Sequence, residues 1–303
     1  MKHFIEITDF TLDELTHILD RADELQGHWH NHTMPQSLHH QRIALWFWGN
    51  GFRNRVAFEI GARAMGADVA YVPGELGVNE PLADIGHYLK NWFSMLVIRA
   101  KNHADVVAVA HDMAAPTINA RTNFNHPCEI IGDLQYIRQV RGSIDGLRVV
   151  FVGEVTNLCM SWFKAAVRFP IQVVQAGPAE YLLPDQTLRE LNAEAVGEIA
   201  TTVDLDGAIS KQTDLIYTDC WPRGEDFETV QRLFLPYQIT TEIVDRIADD
   251  GFFLPCPPVT RGQEVAADAL ESAKCQDYAA KEYLLHSQNA IMEFLAHANS
   301  SQS

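Results

Sequence analysis

Two arginines follow a glycine turn at the point where an apolar stretch gives way to a helical pattern. The apolar stretch covers residues 43–48, the turn is Gly49-Asn50-Gly51, and the arginines are Arg53 and Arg55. A helix N-terminus offers free backbone N–H groups and a partial positive charge, and glycine lets a phosphate approach the backbone. Guanidinium groups add forked donors for phosphate or carboxylate oxygens. The sequence therefore predicts an anion-binding junction, with solvated surface arginines as the alternative.

Strand and helix patterns alternate along the first half of the chain, around this junction. Such alternation predicts a parallel sheet with crossover helices, in which ligands bind beyond the carboxyl ends of the strands. Arg99 and Asn119 fall at or near two of these ends and would lie on the same edge as Arg53 and Arg55. The predicted strands are 42–48, 67–72, 95–99 and 116–120, and the predicted helices are 12–25, 56–65, 82–92, 103–113 and 130–140.

A second alternating series begins after Gly142 and Gly146, which mark a break in the pattern. We therefore predict an α/β fold of two Rossmann-like domains with parallel sheets, a first domain over residues 1–135 and a second over residues 146–270. The predicted strands of the second domain are 147–153, 171–175, 201–203, 215–218 and 251–254, with helices near 161–168 and 186–196, a helical segment around 234–240, and a last amphipathic helix at 277–297.

Composition excludes several classes of function. The chain has 303 residues, of which 47% are hydrophobic and 21% charged, and its formal net charge is −17. An acidic surface argues against non-specific binding to nucleic acid. The first residues lack the apolar core of a signal peptide, and no apolar run reaches membrane-spanning length. We therefore expect a cytoplasmic protein with neither nucleic-acid nor membrane partners.

Cysteines and histidines give no clear cofactor site. Five cysteines are widely scattered without a Cys-x-x-Cys pair, which favours reduced thiols over a disulfide framework. Histidines 28, 30, 32, 39 and 40 resemble a metal-binding tract, but no cysteine or paired carboxylate completes a ligand set, and Asn31, Thr33 and Pro35 suggest an exposed loop. We predict no metal and no cofactor.

Seven short motifs occur in one order along nearly the whole chain. Through their order and spacing, the chain resembles the aspartate/ornithine carbamoyltransferase superfamily, and its later motifs are closest to the ornithine branch. The motifs are Gly51-Phe52-Arg53-Asn54-Arg55-Val56-Ala57-Phe58-Glu59; Arg99; His126-Pro127-Cys128-Glu129; Gly153 with Asn157 and Ser161; Asp219-Cys220-Trp221; Pro236-Tyr237-Gln238; and Pro255-Cys256-Pro257-Pro258 followed by Arg261-Gly262.

The resemblance implies a fold, a reaction and an assembly. The final helix, residues 277–303, would return to the first domain, which binds carbamoyl phosphate, while the second binds an amino acid. The shared reaction joins carbamoyl phosphate to an amine and releases phosphate. The expected partners are these small-molecule substrates and other copies of the chain, in homotrimers or multiples of trimers with active sites at subunit boundaries.

The resemblance also assigns residues, each beside a structural alternative. Arg99 and His126 would reach the carbamoyl oxygen, and Cys256 would lie near the reacting amine. Arg55 could instead form an ion pair with Glu59, His126 could merely precede a helix, Cys256 could be inert, and Arg223 could pair with Glu225 or Asp226. The implied carbamoyl phosphate site is Gly51, Phe52, Arg53, Asn54, Arg99, His126 and Glu129, and the implied amine site is Asn157, Asp219, Arg223 and Cys256.

Several positions depart from the family pattern. Gly51, Phe52 and Asn54 replace the hydroxyl residues of its phosphate loop, Glu129 replaces a glutamine, and Leu284 aligns with an arginine of the last helix. Pro222-Arg223-Gly224 stands where the ornithine branch has Ser-Met-Gly, and Arg223 would suit an additional acidic group. We therefore predict an N-carbamoyltransferase that acts on an amino acid or related amine other than ordinary ornithine. The alternatives are a transferase for another acyl phosphate and a catalytically silent homologue that binds a metabolite.

Overall fold

The computed structural model describes residues 1–300, and these form two compact units. The first unit comprises Met1–Val140 together with the chain from Lys281 onward, and the second comprises Arg141–Ala280. Each unit contains one parallel sheet with helices between its strands. The predicted fold class is confirmed, including the return of the last helix to the first unit.

The sheet of the first unit has the strand order β2-β1-β3-β4, and all of its pairs are parallel. From β1 the chain adds β2 on one side and then crosses to add β3 on the other side. The carboxyl ends of β1 and β3 therefore flank the crevice where such folds bind ligands. The strands are β1 (Arg42–Phe47), β2 (Asp68–Pro73), β3 (Met95–Arg99) and β4 (Thr117–Arg121).

The helices of the first unit begin and end at identifiable signals. The Thr11 hydroxyl accepts from the Glu14 amide and the Glu14 carboxylate accepts from the Thr11 amide, which together form a capping box at the start of α1. Buried side chains from β3 and α4, including Leu96, Ile98 and Val109, form a core on one face of the sheet. The helices are α1 (Leu12–His30), α2 (Phe52–Ala64), α3 (Leu82–Trp92), α4 (His103–Met113), α5 (Pro127–Arg141) and α11 (Asp277–Ser300).

The sheet of the second unit has the order β7-β6-β5-β8-β9, again with parallel pairs throughout. In this sheet the chain crosses from one side of β5 to the other to add β8. Val150, Ile216 and Phe253 belong to a buried core of this unit. The elements are β5 (Arg148–Val152), α6 (Asn157–Arg168), β6 (Gln172–Ala176), α7 (Asp185–Glu194), β7 (Glu198–Thr202), α8 (Leu205–Ala208), β8 (Leu215–Thr218), α9 (Phe227–Phe234), α10 (Thr241–Asp245) and β9 (Phe252–Pro255).

Three predicted elements were wrong in their bounds. Helix α2 begins at Phe52 rather than Val56, because its polar first turn carries no apolar periodicity. The predicted helix at 234–240 is interrupted: α9 ends at Phe234, and a short 3-10 turn containing Pro236 follows. Helix α1 runs on to His30, so the expected exposed histidine loop starts later than predicted. None of the described helices is both long and apolar enough to cross a membrane.

Candidate active site

The N-terminus of α2 lies against the side chain of Arg99. Gly51 precedes the helix with φ of 41°, and a Cβ atom placed there would stand 2.8 Å from Cδ of Arg99. The amide of Trp48 donates to the carbonyl oxygen of Arg99 at 2.8 Å, which fixes the turn beside the end of β3. The first amides of a helix have no carbonyl partner within the helix. A guanidinium and free amides therefore occupy the same edge of the sheet.

The two arginines of the first turn of α2 have different surroundings. The Arg53 guanidinium lies 4.9 Å from the ring centre of Phe52, itself 51% exposed. The Arg55 guanidinium lies over the ring of Tyr71 and 3.5 Å from the carboxylate of Glu59. Arg55 thus makes the ion pair that was the structural alternative for this residue.

A buried charge cluster stands behind this edge, formed by Glu129 and Asp133 of α5 and Lys281 of α11. The Lys281 ammonium lies 2.7 Å from Oε1 of Glu129 and 2.8 Å from Oδ1 of Asp133. All three side chains are largely or fully buried. Burial alone would raise the pKa of Glu129, but Lys281, His126 and the Asn54 hydrogen bond together outweigh it and hold that pKa below its usual value. Glu129 is therefore an ionised carboxylate with a matched cation.

Asn54 connects α2 to this cluster through both ends of its amide. Its Nδ2 donates to Oε2 of Glu129 at 2.9 Å, and its Oδ1 accepts from Nε2 of Gln288 at 2.9 Å. The Asn54 side chain is buried and turned toward the protein interior. The side chain of Asn54 therefore does not replace the lost hydroxyl donor of the family motif, whereas the Asn54 backbone amide still belongs to the helix N-terminus.

His126 precedes α5 and is almost fully buried. Burial lowers its pKa to about 3, the nearby Glu129 opposes this shift, and the charges of Arg99 and Arg121 add to it. Its Nε2 lies 3.7 Å from Oε2 of Glu129, beyond the range of a hydrogen bond. His126 is therefore a neutral imidazole at physiological pH, able to donate one N–H.

Asn119, expected at a strand end near the arginines, is instead inside β4. Its amide donates to the carbonyl oxygen of Ile5 at 3.0 Å, and the residue is fully buried. Arg121, two residues later, ends the strand. Asn119 therefore links the N-terminal segment to the sheet, a structural role.

In the second unit, the predicted amine-site residues follow the ends of three neighbouring strands. Asn157 is the first residue of α6, shortly after β5, and Asp219 and Cys256 directly follow β8 and β9. Two hydrogen bonds tie these ends together: Thr218 Oγ1 donates to the carbonyl oxygen of Val152 at 2.7 Å, and the Cys256 amide donates to that of Thr218 at 2.8 Å. Asn157, Asp219 and Cys256 therefore share one edge of this sheet.

Glu154 is a further acid at this edge. Burial, together with the negative charges of Asp219 and Glu225, raises its pKa to about 7. The alternative partners of Arg223 are engaged elsewhere in the described chain: the Tyr181 hydroxyl donates to Glu225 at 2.5 Å, and Asp226 caps α9. The edge therefore carries an excess of carboxylates with Arg223 nearby in sequence.

Two family models match the chain. The model described as "Aspartate/ornithine carbamoyltransferase, carbamoyl-P binding domain" matches residues 2–139, and the model described as "Aspartate/ornithine carbamoyltransferase, Asp/Orn binding domain" matches residues 145–295. The chain belongs to the aspartate/ornithine carbamoyltransferase family. The predicted resemblance is thereby confirmed, and so is the prediction that the chain is an enzyme of the transferase class.

Relatives named ornithine carbamoyltransferase resemble the chain over almost its full length. The protein of Methanothermobacter thermautotrophicus is 33% identical over 97% of the chain and 99% of its own length, and that of Psychrobacter arcticus is 32% identical over 97% and 96%. The solved ornithine carbamoyltransferase of Pyrococcus furiosus superposes with a TM-score of 0.91 at 27% identity, covering 97% of the chain and 96% of that structure.

Sequence reasoning missed two charged residues at these edges of this carbamoyltransferase. Lys281 lies three residues before Leu284, which aligns with the family arginine and is buried here. The sequence does offer a signal for Lys281, because it is a charged residue on the otherwise apolar face of the last helix. Glu154 follows Gly153 at the end of β5, the position that the strand-end rule marks for ligands.

Proposed function

We propose that the protein transfers the carbamoyl group of carbamoyl phosphate to the amine of an amino acid or related compound other than ordinary ornithine. The observation that carries this proposal is the Arg99 side chain packed against Gly51 at the start of α2. This contact places a guanidinium beside the amides of a helix N-terminus, a combination suited to the phosphate group of an acyl phosphate.

The reaction needs cations on the phosphate and donors on the carbonyl oxygen. The lone pair of the amine forms a bond to the carbamoyl carbon, and the carbonyl electrons move onto oxygen. When this oxyanion collapses, the C–O bond to phosphate breaks, phosphate leaves with the electron pair, and the amine proton passes to phosphate or solvent. Arg53 and the α2 amides would hold the phosphate, while Arg99 and neutral His126 would donate to the oxyanion.

Lys281 and Glu129 would form one unit of this site. Lys281 lies about one helical turn before Leu284, so α11 still delivers a cation where the family uses an arginine. Because Lys281 and Asn54 already engage both oxygens of Glu129, this carboxylate has little capacity left to hold the carbamoyl NH₂ strongly. We propose that Glu129 mainly fixes Lys281 and Asn54 beside the substrate.

The second unit would bind the amine. Asp219 and Asn157 would hold the amino-acid group, and Cys256 would contact the substrate close to the attacking nitrogen. The carboxylates of this edge favour an acceptor that carries an ammonium group. Arg223 would bind an additional carboxylate, and this arrangement supports an acceptor other than ornithine.

Phosphate release from carbamoyl phosphate tests the proposal. Purified protein would be incubated with carbamoyl phosphate and a panel of amines that includes ornithine, lysine and amino acids with a second carboxylate. We expect one non-ornithine amine to give the fastest release, and Arg53→Ala and Arg99→Ala each to lower the rate about 100-fold or more. Arg63→Ala, which removes an exposed guanidinium from the other end of α2, should keep the rate. Release no faster than that of the Arg99→Ala variant would contradict the proposal.

One observation favours a different acyl phosphate. The Asn54 amide points to Glu129, so the loop lacks the side-chain hydroxyl donors that the family motif supplies. Ligand-dependent shifts in melting temperature across carbamoyl, acetyl and other acyl phosphates distinguish the donors. Binding without turnover for every donor and amine would instead indicate a silent homologue.

We also propose that the chain assembles as homotrimers or multiples of trimers in the cytoplasm. Support comes from apolar side chains on the surface of the first unit, since Phe52, Ile60 and Tyr71 are each more than 40% exposed. An apolar patch of this kind fits an interface with a second copy. Sedimentation that gives a monomer would contradict the assembly, and an assay of the same sample would keep this outcome separate from the activity.

A further inference from the structure

His30 of the histidine tract acquires a carboxylate and a second nitrogen ligand from the last helix, α11. His30 ends α1, and Glu282 and His286 lie four residues apart on α11, all within the first unit. Residues four apart on a helix share one face. Glu282 is 252 residues from His30, which is why the sequence pattern around the tract contained no acidic ligand.

The three side chains are close enough to share one cation. Nε2 of His30 lies 2.7 Å from Oε1 of Glu282, Nε2 of His286 lies 3.4 Å from the same oxygen, and the candidate ligand atoms all lie within 4.8 Å of one another. Zinc bonds of about 2.0–2.2 Å in a tetrahedron place ligand atoms roughly 3.3–3.5 Å apart. Small side-chain rotations would therefore bring the set to zinc geometry.

His286 presents to the cluster a ring nitrogen, Nε2, that is only weakly hydrogen-bonded. It is fully buried, and its Nδ1 has no hydrogen-bond partner within residues 1–300. Its Nε2 has only the long contact of 3.4 Å with Glu282. A ring that carries its proton on Nδ1 would keep the Nε2 lone pair for a metal.

The charges around the cluster permit a divalent cation. One carboxylate and two imidazoles, which bind metal in their deprotonated form, would contribute a charge of about −1. Lys281, the adjacent residue, is paired with Glu129 and Asp133. Two nitrogens and one oxygen suit zinc and its neighbours in the first transition row better than magnesium or calcium.

We propose that His30, Glu282 and His286 form a zinc-class divalent metal site that links the end of α1 to α11. Three protein ligands leave a fourth position for water or an exchangeable ligand. The side chains of His30 and Glu282 are 56% and 46% exposed, so a metal can enter from solvent. The site does not depend on the proposed carbamoyl transfer, which uses none of these residues.

Metal titration of the full chain tests this site. Chelator-treated protein would be titrated with Zn²⁺ in competition with a chromophoric chelator, and with Co²⁺ while the visible spectrum is recorded. We expect one strong site per chain and a Co²⁺ spectrum without a thiolate charge-transfer band, because all three ligands are nitrogen or oxygen. Zn²⁺ should also raise the melting temperature.

Single substitutions locate the site. His30→Ala and Glu282→Gln should each weaken Zn²⁺ binding at least tenfold and reduce the melting shift. His286→Ala should do the same, and exposed His30 keeps the test valid if the buried variant fails to fold. His28→Ala is the matched control, since His28 lies in the same helical turn and contacts Thr33 instead. Absence of a strong site, equal binding by His30→Ala, or a thiolate band from cysteines elsewhere would each overturn the proposal.

Discussion

The two sheet edges follow one topological rule but hold opposite charge. At the edge of the first unit, arginines and a helix N-terminus face outward, and the buried acids Glu129 and Asp133 behind them are matched by Lys281. At the edge of the second unit, Glu154 and Asp219 are both acids, and burial together with the charge of Asp219 raises the pKa of Glu154. In parallel sheets of this kind ligands bind at such edges, and we propose that the residues after the strands decide whether each edge attracts an anion or a cation.

Removal of Lys281 tests whether the matched buried charges stabilise the edge of the first unit. We expect the largest effect from this substitution. Lys281→Met leaves two buried carboxylates without their cation, which should lower the free energy of unfolding by about 3–5 kcal/mol. Urea unfolding measures this loss, and the double variant with Glu129→Gln should recover part of it. Lys211→Met, which removes an exposed ion pair with Asp249, should leave the urea midpoint unchanged. Equal midpoints for the two lysine variants would show that the buried cluster adds no stability.

Asp219→Asn tests the opposite charge of the second edge. Loss of a charged hydrogen-bond acceptor costs about 1.5–3 kcal/mol, so kcat/KM for the amine should fall roughly 10- to 100-fold. Because Asp219 belongs to the second unit, KM for carbamoyl phosphate should stay the same. Steady-state kinetics with each substrate varied in turn provides the measurement, and an equal rise in both KM values would contradict the division of roles.

Gly51→Ala tests the contact between α2 and Arg99. A left-handed backbone at alanine costs about 1–2 kcal/mol, and the new methyl group would also displace the Arg99 side chain. Gly49→Ala is the matched control, because its φ of 69° brings similar strain while its Cβ would meet no atom within 4 Å. We expect similar losses of stability, with KM for carbamoyl phosphate raised only by Gly51→Ala. Kinetics alongside thermal unfolding separate the two effects, and equal KM values would show that the Arg99 position does not matter.

The smallest effect should come from Glu154, and it concerns pH. Its pKa of about 7 in the folded state exceeds the ordinary carboxyl value, so between the two the folded protein binds a proton that the unfolded chain lacks. The free energy of unfolding attributable to this group therefore falls as pH rises from 5 to 8. We expect Glu154→Gln to reduce the decrease in melting temperature between pH 5 and pH 8. Glu194→Gln, at an exposed position, should leave that decrease unchanged. Parallel wild-type and Glu154→Gln curves would refute the assignment.

Strand-end positions were the part of the site that sequence patterns could predict. Arg99, Asp219 and Cys256 each follow or end an apolar run, so their shared edges follow from the alternation of strands and helices. The predicted helix bounds were wrong where polar residues obscure the hydrophobic periodicity, as in the first turn of α2.

Partners distant in sequence explain the remaining misses. Asn54 was expected to present its amide to phosphate, but it bonds to Glu129 and to Gln288, which lies 234 residues away. His30 was assigned to an exposed loop for the same reason, since Glu282 becomes its neighbour only in the folded unit. Such pairings depend on which face of α11 packs against α1, α2 and α5, and local spacing carries no information about that.

The position of Lys281 in the chain has a consequence for synthesis. Asp133 leaves the ribosome 148 residues before the lysine that neutralises it. The whole of the second unit is synthesised in that interval. During it, Glu129 and Asp133 lack their matched cation, and α11 does not yet cover α5. Long-range closure of this kind slows folding. A nascent chain that stops short of α11 would lack this cation, so completion of the first unit depends on a segment translated after the whole second unit.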